Sequence, residues 1–81
     1  MGYHKRKIKK GIYGKISKIT EEYEEFLDAH DQNNPIMELL ELSDLIGAIE
    51  SYTLKKHEIS LTDLLSMKNA TKSAFTDGSR K

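Results

Sequence analysis

The chain is predicted to be all-α, and three observations carry that prediction. Ile12, Ile16, Ile19, Tyr23, Phe26 and Leu27 recur at the spacing of one helical face. Residues 35–56 are apolar on most of a helical circumference. No stretch alternates apolar and polar residues as a half-buried strand does, and one proline and five glycines leave long segments uninterrupted.

Taken in order, residues 1–11 read as a flexible basic arm, and residues 12–81 as the helical domain. The first helix is expected from Ile12 to about His30, with its apolar stripe as the core face. It should stop at DQNNP, because asparagines favour turns and the residue before Pro35 is biased away from helix. Pro35 suits the first turn of a second helix running to about Lys56, whose Lys55 and Lys56 complement its C-terminal end. That helix carries Ile36, Met37, Leu39, Leu40, Leu42, Leu45, Ile46, Ala48, Ile49, Tyr52 and Leu54. So much apolar surface on a chain of 81 residues calls for a partner subunit, since a chain this short buries only a modest core. Ser60, with Asp63 three residues on, resembles a capping box. It opens a third helix from Leu61 to about Phe75, which Asp77-Gly78 should end.

Composition narrows the function. Without cysteine there are neither disulfides nor thiolate metal sites. No apolar run approaches the roughly 20 residues of a membrane span, and the basic start leads into no apolar signal segment, so the chain reads as cytoplasmic. The formal charge is zero, yet residues 1–18 carry seven Lys/Arg and no acid, while residues 19–63 carry twelve acids against two lysines. An acidic middle between basic ends fits a cation-binding centre with anion-binding flanks; it also fits oppositely charged segments lying against one another. A net of −10 over residues 19–63 repels a phosphate backbone, which argues against nucleic acid as a partner.

The acids are placed in a pattern. At about 100° per residue, Glu22 and Glu25 border the apolar stripe of the first helix, with Ala29 between them. On the second helix, Glu41, Asp44 and Ala48 fall within about 60° of arc. Each helix therefore offers two acids at i, i+3 beside a small residue and apolar surface. Carboxylates at such a seam resist desolvation unless they stay wet or share a cation. A donor set made only of oxygen favours Mg²⁺, with Mn²⁺ as the alternative, and Mg²⁺ readily takes phosphate oxygens as well.

EEYEE at 21–25 fits E-E-x-x-E, and ELSD at 41–44 fits E-x-x-D, with fifteen residues between them. Over residues 11–80 this resembles the all-α nucleoside triphosphate pyrophosphohydrolases of the MazG type, in particular their short phage-type members. GIYGKISKITEEYEEFLDA and MELLELSDLIGAIESY are the most specific parts. The resemblance implies helical subunits forming a four-helix core as a homodimer or homotetramer, and hydrolysis of an NTP or dNTP to the monophosphate and pyrophosphate. It implies that Glu22, Glu25, Glu41 and Asp44 hold Mg²⁺. Glu21 and Glu22 take the catalytic positions, Glu21 as an outer or water-orienting acid. Lys68, Asn69, Lys72 and Arg80 match the residues that hold phosphates.

The chain is shorter than most enzymes of that group and has no tryptophan to stack on a base. Tyr13, Tyr23 or Tyr52 would have to serve, although tyrosines at helical spacing are more commonly core residues. His4, His30 and His57 share no spacing and read as surface residues. Two further readings stay open: a nucleotide-sequestering module of the same fold without turnover, and a helical interaction protein whose acids face solvent.

Overall fold

Three helices form in the expected order: α1 (Ile16–Asp31), α2 (Pro35–His57) and α3 (Leu61–Thr76). The structure, a computed structural model, describes residues 5–76, with side chains through residue 73. Among the described residues there is no strand. Arg80, His4 and the Asp77-Gly78 stop lie outside the described residues, and the side chain of Phe75 is likewise not described.

The start of α1 departs from the sequence reading. Ile12 is not helical; it opens a turn in which the Lys15 amide donates to the Ile12 carbonyl at 3.0 Å. Gly14 takes φ +90° in that turn, a conformation open to glycine and closed to most side chains. Apolar periodicity cannot register such a turn, because Ile12 keeps the spacing of the helix it precedes.

The two other junctions follow local chemistry. Asn33 absorbs a left-handed φ of 54° after α1, and the Asn34 side chain accepts the Met37 amide at 3.1 Å to cap α2 ahead of Pro35. Glu58 closes α2 at φ 56°, with its amide on the Leu54 carbonyl and the Ile59 amide on the Thr53 carbonyl. Ser60 Oγ then accepts the Asp63 amide at 3.1 Å, capping α3.

Helices α1 and α2 pack along their length, whereas among the described residues α3 touches α2 and not α1. The α1–α2 seam is unusual in what it buries. Ala29 and Ala48 are fully buried, joined by Met37, Glu21, Glu22, Asp28 and Glu41. The apolar stripe expected to be the core of α1 instead faces outward in part: Ile12 and Ile16 are each 61% exposed and Tyr23 49%. Ala29 and Ala48 lie on the acid-bearing faces, and these faces are the ones turned inward. On α2, Ile36, Leu39, Leu40 and Ile46 stay exposed. A radius of gyration of 14.9 Å, against about 12 Å for a compact domain of this length, agrees with a chain that does not close a core by itself.

The described part of the basic arm, residues 5–11, runs back along α1. The Lys5 and Arg6 amides donate to the two carboxylate oxygens of buried Asp28 at 3.1 and 3.2 Å. The Arg6 guanidinium reaches Asp31 as well, and the Gly11 amide donates to Glu21 Oε1 at 2.8 Å.

Candidate metal centre

Helix α1 contributes Glu21, Glu22 and Glu25, and α2 contributes Glu41 and Asp44. One carboxylate oxygen from each of Glu21, Glu22 and Glu25 lies within 4.8 Å of the others, and the same holds for Glu22, Glu41 and Asp44. Glu22 belongs to both groups and joins the two helices' acids into one cluster. Glu22 and Glu41 are buried, Glu25 is half-buried and Asp44 is exposed, so the cluster has a closed side and a side open to solvent. The four acids read from the sequence as a metal set fall into these two groups, which overlap at Glu22.

The charges are only partly compensated. Lys18 Nζ lies 3.1 Å from Glu21 Oε1 and 3.1 Å from Glu22 Oε2. Burial works against the charged Lys18 ammonium, but its hydrogen bonds to Glu22 and Glu21 outweigh that and hold its pKa above the usual lysine value. Lys10 approaches Glu21 Oε2 at 3.7 Å. Burial also opposes ionisation of Glu21, yet the Gly11 amide and Lys18 prevail and hold its carboxyl below the ordinary carboxylate range. Glu25 goes the other way: burial, then the charges of Glu22 and Glu41, push it up to about 7. A side-chain hydrogen bond between the two acids also raises Glu25 and lowers Glu21.

Glu22 Oε1 is buried and accepts no hydrogen bond among the described residues. Buried carboxylate oxygens are ordinarily satisfied. An oxygen-only donor set from two helices, one orphaned buried oxygen and an acid that retains its proton near neutrality all fit a hard divalent cation.

The remaining sequence-derived residues stand apart. Lys68, Asn69 and Lys72 are exposed on α3, which among the described residues packs against α2 and not against α1. His30 and His57 are exposed, as expected. Tyr13 and Tyr23 are exposed and Tyr52 is half-buried. Sequence reasoning missed Lys18 and Asp28. Lys18 precedes Glu21 and Glu22 by three and four residues, the helical pairing distance, and that signal was available. Asp28 also accepts from the Gln32 side chain at 2.8 Å, but the Lys5 and Arg6 amides it holds lie more than twenty residues upstream and leave no local mark.

No protein-family model, no curated protein and no solved structure matches the chain. Among the described residues, no helix is long and apolar enough to cross a membrane.

Proposed function

We propose that the chain is a Mg²⁺-dependent nucleoside triphosphate pyrophosphohydrolase that works as a homo-oligomer. The observation that supports it is the shared Glu22 carboxylate, which joins acids of α1 and α2 around one buried oxygen without a hydrogen-bond partner. Glu22, Glu25, Glu41 and Asp44 would hold the cation, with Mn²⁺ as a substitute. When bound, the cation supplies charge neutralisation at the phosphates and a lowered pKa for water.

The chain's own residues set the stage around it. Lys18 offsets the charge of Glu21 and Glu22, and the arm amide of Gly11 fixes the Glu21 carboxylate. Glu25 holds a proton near neutral pH, which leaves when a cation enters. Lys68, Asn69, Lys72 and Arg80 would hold phosphate oxygens, and because α3 stands away from α1 they are better placed to serve a site completed by a second subunit. The exposed apolar residues of α2 support that assembly, because contiguous apolar surface on a small chain marks an interface.

The test is a chromatographic product assay with each NTP and dNTP, with and without Mg²⁺. Metal-dependent release of monophosphate and pyrophosphate is expected. Nucleotide that co-elutes unchanged with the protein would replace hydrolysis with sequestration.

A further inference from the structure

A second charged site lies at the other end of the α1–α2 seam. An open cavity of about 360 Å³ is lined by Gly14, Lys15 and Ile16 from the start of α1 and by Tyr52, Lys55 and Lys56 from the last turns of α2. Tyr52 lies eight residues beyond Asp44, about 12 Å along the helix, so this cavity is distinct from the acid cluster.

The position of its lysines is built by the backbone. Gly14 is buried at φ +90°, and a Cβ there would stand 2.6 Å from Lys55 Cδ and 3.4 Å from Lys55 Nζ. A residue with a Cβ would be strained at this φ and would push the flexible Lys55 stem aside. The turn itself is held to α2 by Tyr13, whose hydroxyl donates to the Gly47 carbonyl at 3.4 Å. One wall is the Tyr52 ring, set edge-on to His57 with centroids 5.9 Å apart.

The charges there lack counter-ions. Arg6, Lys10 and Lys18 each reach a carboxylate, whereas Lys15, Lys55 and Lys56 form no ion pair among the described residues. Lys55 and Lys56 suit the C-terminus of α2. Lys15 has no such reason: it stands at the positive end of α1, which has no acid in its first turn and no side-chain cap. Three like charges converge from two elements on a cavity of ligand size with an aromatic wall.

We propose that this cavity binds the phosphate chain of a small polyphosphate ligand such as a nucleotide, with Lys15, Lys55 and Lys56 contacting its oxygens and Tyr52 beside its base. Unlike the acid cluster, it needs no metal.

The test titrates inorganic tripolyphosphate into the full chain in EDTA, by calorimetry and by amide NMR. Saturable binding is expected, with shifts at residues 14–16 and 52–56. Lys55→Gln with Lys56→Gln should weaken it about tenfold or more, as expected for lost charged hydrogen bonds. Lys7→Gln with Lys9→Gln, which removes the same charge from the arm, should leave it nearly unchanged. ATP should bind more tightly than tripolyphosphate, and Tyr52→Leu should remove that difference. Absence of saturable binding, shifts confined to residues 5–10, or equal loss in both double variants would overturn the proposal. Glu41→Gln should not affect this binding, which separates its failure from failure of the hydrolase reading.

Discussion

Lys18 lies one turn before Glu22 on α1, and its ammonium nitrogen is 3.1 Å from Glu22 Oε2. The ammonium therefore stands beside the carboxylate that joins both groups of acids, partly occupying the electrostatic role of a divalent cation. Lys18→Met should lower the stability of the metal-free protein by about 1–3 kcal/mol, because partly buried acids lose a charged partner. The same variant should gain more than the wild type when Mg²⁺ is added. Thermal melts with and without Mg²⁺ measure both effects, and an equal gain in the two proteins would show that ammonium and cation do not compete.

Glu41→Gln separates binding from folding. It removes one negative charge from a like-charged cluster, so the metal-free protein should be at least as stable as the wild type. What it should lose is the linked stabilisation by cation, which for a site filled at a hundredfold excess over Kd is about 2.7 kcal/mol. Denaturant midpoints in EDTA and in Mg²⁺ give the difference directly. A variant that keeps the Mg²⁺ gain would remove Glu41 from the ligand set.

The raised Glu25 carboxyl sets a pH dependence with a definite sign. Its folded pKa of about 7 lies above its ordinary value of 4.5. Between those values the folded state binds more protons than the unfolded state, so stability declines as pH rises through the window. Glu21 shifts the opposite way, and its stabilisation is lost only as pH falls below the ordinary carboxylate range. The metal-free protein should therefore melt at a lower temperature at pH 8 than at pH 5.5. Saturating Mg²⁺ should flatten or reverse that slope, because cation and proton compete for the same carboxylate. Melting curves across this range would refute the cluster's electrostatics if the metal-free slope were flat.

How far the sequence could be read differs from element to element. Asn34-Pro35 and Ser60 name the starts of α2 and α3, because capping is decided by the residues themselves. Ile12 could not reveal that it precedes α1, since the turn depends on the positive φ of Gly14. The acids of the α1–α2 cluster were legible from their i, i+3 spacing. Their burial beside Ala29 and Ala48, ahead of the apolar stripe, was not: it depends on which faces let two backbones approach. The contacts of the arm with Asp28 and Glu21 are long-range and leave no periodic trace. Neither does the cavity lined by Lys15, Lys55 and Lys56, whose residues come from the start of α1 and the last turns of α2, far apart in sequence.

Glu58 offers a test of the helix junction independent of the acids. It holds a left-handed conformation at φ 56° to end α2, which disfavours a residue bearing a Cβ. Glu58→Gly should stabilise the folded chain by up to about 1 kcal/mol, since glycine adopts that conformation without the steric penalty while losing more entropy on folding. Urea unfolding checks it, and a destabilised variant would mean that Glu58 contributes a contact beyond its backbone.

Gly11 ties the arm to the site. A Cβ on Gly11 would stand 2.2 Å from the Ser17 carbonyl oxygen and 2.6 Å from the Lys18 amide nitrogen. Both obstacles are backbone of the first turn of α1, so neither can swing aside as a side chain would. Gly11→Ala must move the arm away, at about 1–3 kcal/mol for an overpacked contact. It must also lengthen the 2.8 Å hydrogen bond from the Gly11 amide to Glu21 Oε1. Glu21 then loses one of the interactions that keep it ionised and competes more strongly with Glu25, its hydrogen-bond partner, for a proton. The expected signature is reduced stability together with a change in Mg²⁺ affinity near pH 7 that disappears at higher pH, where both acids ionise. Lost stability with Mg²⁺ affinity unchanged at every pH would show that the arm braces α1 without acting on the acids.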